Sequence, residues 1–94
     1  MSEAPASSLA AVIDVGATAI RLVVAQMGEN GEWQRLDRAA RPVPLGRDVF
    51  MSGTLGRETM QQAISILAGF RELLRGWQVP EESVRVIATS ATPS

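Results

Sequence analysis

The sequence predicts an α/β fold: a mixed four-stranded sheet ordered 3-2-1-4, built from elements in the order β-β-β-α-β. Three observations predict it. Two apolar runs, Leu9 to Val15 and Ile20 to Met27, stand almost adjacent near the start. A long stretch, Arg57 to Arg75, repeats apolar residues three and four apart, and a β-branched run, Val84 to Thr89, follows it. A right-handed crossover through the helix sets the last strand parallel to the first and beside it.

Leu9 to Val15 has the length and Ala/Val/Ile content of a strand buried on both faces. The second run follows after a short loop. "MGENGEW" then supplies Asn30-Gly31, tolerant of positive φ, so Trp33 to about Arg41 returns antiparallel as a third strand polar enough to lie at an edge. Pro42 and Pro44 stop the pairing, and "LGRDVFMSGTLG" reads as a glycine-punctuated loop. In the helix, Met60, Ala63, Ile64, Leu67, Phe70 and Leu74 form one core face. Thr54 or Gly56 is its N-cap, Glu58 suits its first turn, and Gly76 and Pro80 mark its end. Gly69 inside it costs about 1 kcal/mol relative to alanine, which points to a close approach to the sheet. Trp33, Trp77 and Phe70 read as packing residues rather than a stacking platform.

A chain of 94 residues, 46% hydrophobic and 20% charged, supports one layered globular unit. Residues 1–8, "MSEAPASS", read as a disordered tail; without a basic segment or long apolar core they suit a cytoplasmic protein rather than a secreted one. Nothing approaches a membrane span. The chain has no Cys, no His and no Lys, its basic residues all being Arg. That removes thiolate and imidazole nucleophiles, imidazole or thiolate zinc sites, Schiff-base lysines and lysine-bearing P-loops. The formal net charge of −1, with dispersed arginines, gives no basic field for nucleic acid or an anionic membrane. One helix covers one face of the sheet and leaves the other bare, so residues 9–94 read as part of a larger domain.

The chemistry concentrates in "AVIDVGATAIRLVV". Asp14 closes the first strand, where an ionised carboxylate needs compensation, and a hard cation such as Mg²⁺ with its waters is one form of it. Gly16 and the small Ala17, Thr18 and Ala19 let backbone amides turn toward an anion. Arg21 offers a forked donor to phosphate oxygens. Thr89 and Ser90 lie at the carboxyl end of the fourth strand, where parallel sheets place ligands. Plainer readings stand beside these. Asp14 can cap its own turn, Arg21 can pair with Asp14 or another acid, and Thr89 and Ser90 can make ordinary strand-end hydrogen bonds.

Taken together, "AVIDVGATAIRLVVAQ", "PLGRDVFMSG", the amphipathic helix and "RVIATSAT" resemble the amino-terminal part of the exopolyphosphatase and guanosine pentaphosphate phosphohydrolase (Ppx/GppA) family. The resemblance implies a ribonuclease H-like, actin-like ATPase subdomain covering residues 9–94. It also implies Mg²⁺-assisted attack of water on a terminal phosphoanhydride of polyphosphate or guanosine pentaphosphate, and a possible homodimer of the whole protein. Carried over residue by residue, it assigns Gly16, Ala17, Thr18, Ala19 and Arg21 to the first phosphate loop. Thr89 and Ser90 become further phosphate contacts, and Asp14 a metal ligand, directly or through water.

The family's glutamate base and second glycine-rich loop have no match in residues 1–94. The resemblance therefore implies that the general base lies beyond Ser94, that no catalytic residue lies within this piece, and that the piece is inactive alone. Glu58, Glu72, Glu81 and Glu82 read as solvated instead. The family usually reads D-x-G-S-N-S-x-R through the loop, where this chain has Ala17, Thr18 and Ala19, and it often has an arginine near the position of Pro93. Two alternatives of other classes accompany the enzyme. One is a non-catalytic phosphate- or nucleotide-binding regulator of the same fold; the other is a structural subdomain whose bare sheet face binds a partner or its own copy.

Overall fold

A computed structural model describes residues 8–89. Strands β1 (Leu9–Val15), β2 (Ala19–Met27) and β3 (Trp33–Pro42) are followed by helices α1 (Leu45–Ser52) and α2 (Arg57–Trp77). A 3₁₀ turn at Glu81–Ser83 then leads into β4 (Val84–Ala88). The sheet runs β3-β2-β1-β4, antiparallel except for the parallel β1–β4 pair. Expected order and topology therefore hold, with one helix added. Of the expected tail, all but Ser8 lies outside the described residues, as do Ser90, Pro93 and Ser94.

The β2–β3 turn forms where Asn30-Gly31 placed it. Gly31 takes a φ of 85°, its N–H reaches the Gly28 carbonyl at 3.0 Å, and Gly28 N–H reaches the Glu32 carbonyl at 2.7 Å. Alternation then decides the core. Ala11 and Ile13 of β1 and Ile20, Leu22 and Val24 of β2 point to one face, where they meet Val43, Leu45, Phe70 and Leu74. The other face is bare, and Val12 and Ile87 remain 40% and 45% exposed.

Five expectations need correction. The segment expected to be a loop contains α1, which opens after Pro44 and closes at Gly53, whose φ of 79° lets its N–H reach the Val49 carbonyl at 2.7 Å. In α2 the buried stripe is rotated from the expected one. Ala63, Ile66, Phe70, Leu73 and Leu74 turn to the core, while Met60, Ile64 and Leu67 are exposed. The apolar residues of α2 exceed one face, so spacing alone could not choose among them.

Gly69, expected to approach the sheet, has open space where a β-carbon would stand. It lies on the solvent side, one step of about 100° from the buried Phe70. Trp33 is an exposed residue of edge strand β3 rather than a packing residue. Trp77 donates Nε1–H to Asp37 Oδ2 at 3.0 Å, tying α2 to β3, whereas Phe70 packs fully in the core. Gly56 is the N-cap of α2, and the helix continues through Gly76 to end at Gln78 in the left-handed region.

Candidate active site

The turn between β1 and β2 is set by register. Asp14 pairs with Arg21 and Val15 with Ile20; beyond them Gly16 N–H donates to the Ala19 carbonyl at 2.9 Å, leaving Ala17 and Thr18 as the tip. No residue of this turn has positive φ, so Gly16 is not required for handedness. Space is the reason. A β-carbon there would lie 3.3 Å from the Ala19 carbonyl oxygen, 3.6 Å from Arg21 Nη1 and 3.7 Å from Thr89 Oγ1. Gly16 thus floors a small hollow between the arginine and the threonine. Its own amide is committed to Ala19, whereas those of Ala17 and Thr18 make no hydrogen bond among the described residues.

Paired strand positions bring Asp14 and Arg21 side by side, yet they form no salt bridge; among the described residues the ion pair is Arg75 with Glu72 at 3.5 Å on α2. Asp14 is bonded from another direction. Thr89 Oγ1 donates to Asp14 Oδ1 at 2.6 Å, and Thr89 N–H extends the β1–β4 ladder to the Val15 carbonyl at 3.0 Å. The structure therefore gathers Asp14, Gly16, Ala17, Thr18, Ala19, Arg21 and Thr89 at one end of the sheet. Ser90 lies outside the described residues.

From behind, the turn is held by backbone. Gly46 N–H donates to the Ala17 carbonyl at 2.8 Å and Val43 N–H to the Thr18 carbonyl at 3.0 Å. A β-carbon on Gly46 would stand only 2.8 Å from that of Ala17, so α1 rests on the turn because residue 46 has no side chain. Asp48 of α1 reaches across to the start of α2. Its carboxyl is held below the usual carboxylate range, first by the Thr59 side chain, then by Gly56 N–H at 2.9 Å, with a smaller contribution from Arg47. Gly46 and Asp48, which brace the β1–β2 turn and the α1–α2 junction, are positions that sequence reasoning missed. Their signal was present, in Pro44 before and Gly53 after an eight-residue span with Leu45 and Val49 four apart.

Asp14 brings one hard oxygen donor group, and no cluster of three or more His, Cys, Asp or Glu exists among the described residues. One carboxylate suits Mg²⁺, which keeps several waters and commonly shares its shell with substrate phosphates. Glu58, Glu72, Glu81 and Glu82 are exposed, as expected. The general base expected beyond Ser94 falls outside the described residues, as Ser94 itself does. An open groove of about 450 Å³ runs instead between Arg41 and Pro42 of β3 and Glu58, Gln61, Gln62, Ser65 and Ile66 of α2. The Ala17–Thr18 turn, which adjoins Asp14, Arg21 and Thr89, is taken as the candidate site.

Comparison with known proteins finds similar chains. The chain is 36% identical over 84 residues to exopolyphosphatase 2 of Mycobacterium tuberculosis, covering 86% of this chain and 26% of that protein. It superimposes on the Aquifex aeolicus Ppx/GppA phosphatase, type II variant, with a TM-score of 0.79 at 28% identity, over 88% of this chain and 27% of that one. Over most of its length the chain is thus similar to one part of Ppx/GppA exopolyphosphatase proteins. An exopolyphosphatase from Cytophaga hutchinsonii matches with a TM-score of 0.78 at 26% identity, over 88% of this chain and 26% of that one. No protein-family model matches.

The 3-2-1-4 sheet shares the ribonuclease H-like, actin-like ATPase fold of these structural neighbours. The chain spans about a quarter of the length of these relatives. No helix among the described residues is long and apolar enough to cross a membrane.

Proposed function

We propose that the polypeptide carrying this chain is a hydrolase of terminal phosphoanhydrides, acting on polyphosphate or guanosine pentaphosphate, and that these residues supply its first phosphate-binding loop. One observation carries the reading: among the described residues the amides of Ala17 and Thr18 lie unbonded at the turn whose Gly16 is flanked by Arg21 and by Thr89, itself bonded to Asp14. Phosphoryl transfer asks a protein mainly for positioning and for donors aimed at charge on the phosphoryl oxygens. Two backbone amides and a guanidinium provide such donors. Bound Mg²⁺, held by Asp14 directly or through water, would neutralise part of the phosphate charge.

Alanine at position 17 does not weigh against this reading. The β-carbon of Ala17 lies against Gly46 of α1, and the anion contact falls to its amide, which any residue supplies. The test is phosphate release from long-chain polyphosphate and from guanosine pentaphosphate by the full polypeptide with Mg²⁺. Arg21→Met should lower kcat/KM by about 10- to 100-fold, the range of a lost hydrogen bond to a charged group. Binding of either substrate without phosphate release would favour the regulator of the same fold.

A further inference from the structure

We infer that Thr89 is a positioning residue for the Asp14 carboxylate and not a donor to phosphate. This rests on reading the site as a phosphohydrolase site, and it identifies the residue that fixes the site's acid. The bond from Thr89 Oγ1 to Asp14 Oδ1, at 2.6 Å, lies within the short range of hydroxyl–carboxylate hydrogen bonds. A hydroxyl has one proton to donate. While that proton sits on Asp14 it is not available to a phosphate oxygen.

Two further observations favour positioning. Thr89 is itself fixed by backbone, because its N–H bonds the Val15 carbonyl at 3.0 Å just past the Val15–Ala88 pair of the ladder. The Asp14 carboxylate, in turn, takes no other hydrogen bond among the described residues. Rotation about the terminal torsion of aspartate is soft, so a carboxylate held at one oxygen by one short bond owes its orientation to that bond. Oδ2 is left for a hard cation or its waters. The residues concerned are 75 positions apart, so the acid of β1 is oriented only once β4 has paired beside it.

Thr89→Val removes the hydroxyl at constant shape, and Thr89→Ser restores it. In the full polypeptide without substrate, Mn²⁺ binding followed by electron paramagnetic resonance should weaken about tenfold in Thr89→Val, as for one lost hydrogen bond to a charged group. Thr89→Ser should stay within about threefold of the parent. Unchanged Mn²⁺ affinity in Thr89→Val, with a raised KM for polyphosphate, would make Thr89 a phosphate ligand and overturn the inference.

A second measurement needs neither metal nor variant. The Thr89 hydroxyl proton, held by the carboxylate, should give a slowly exchanging NMR signal with a nuclear Overhauser contact to the Asp14 β-protons. Its absence overturns the inference even if Thr89→Val fails to fold. A protein that shows this signal but neither releases phosphate nor binds Mn²⁺ would sink the hydrolase reading and leave the Thr89–Asp14 bond standing.

Discussion

The two helices are anchored by opposite means. Helix α2 spans 21 residues and is held by burial, with Phe70 2% exposed and Leu74 9% exposed against the sheet. Helix α1 spans eight and buries only Leu45; it is held by the close approach of Gly46 to Ala17 and by the reach of Asp48 to the start of α2. Apolar burial is non-directional and tolerates small shifts, whereas a glycine contact and a carboxylate cap fix position closely. The helix that stabilises the fold is thus separate from the one that backs the β1–β2 turn.

The largest effect expected from this division is Phe70→Ala, which should cost about 3–5 kcal/mol in urea unfolding, a large share of a small domain's stability. A loss below about 1 kcal/mol would mean that α2 is not the main support of the sheet. Next comes Gly46→Ala, where the new β-carbon must displace Ala17. Overpacking of this kind costs about 1–3 kcal/mol and should move the Ala17 and Thr18 amide resonances. Gly69→Ala is the control for helix propensity. It should gain about 0.5–1 kcal/mol, because open space stands where its β-carbon would go. Equal effects at the two glycines would break the comparison.

The smallest effect is a pH dependence confined to the α1–α2 junction. The folded-state pKa of Asp48 is depressed, so its stabilising contribution is fully present above the ordinary carboxylate value and is lost as pH falls through the lower folded value. Amide exchange at Gly56 should therefore lose protection in acid ahead of that in β1 and β2. Asp48→Asn should remove this dependence. Simultaneous loss of protection in both regions would show that Asp48 does not act locally.

Much of this architecture was legible because it is written in local patterns. The β1 span, the Asn30-Gly31 turn, and the Pro- and Gly-bounded stretch before α2 depend on residues only a few positions apart. The candidate site was legible in part, since Asp14, Gly16 and Arg21 belong to one hairpin. Helix α1 was missed because glycines at 46 and 53 read as loop punctuation, although one is a contact surface and the other a helix stop.

The sequence by itself determined the strands, the hairpin, the long helix and their order, since periodicity and turn chemistry act over a few residues. Only the tertiary structure decided which stripe of α2 is buried, that Gly46 backs the β1–β2 turn, and that Thr89 bonds Asp14 from the neighbouring strand. These depend on contacts between residues as many as 75 positions apart. Local spacing carries no record of them, because the geometry that creates them exists only after β4 has taken its place beside β1.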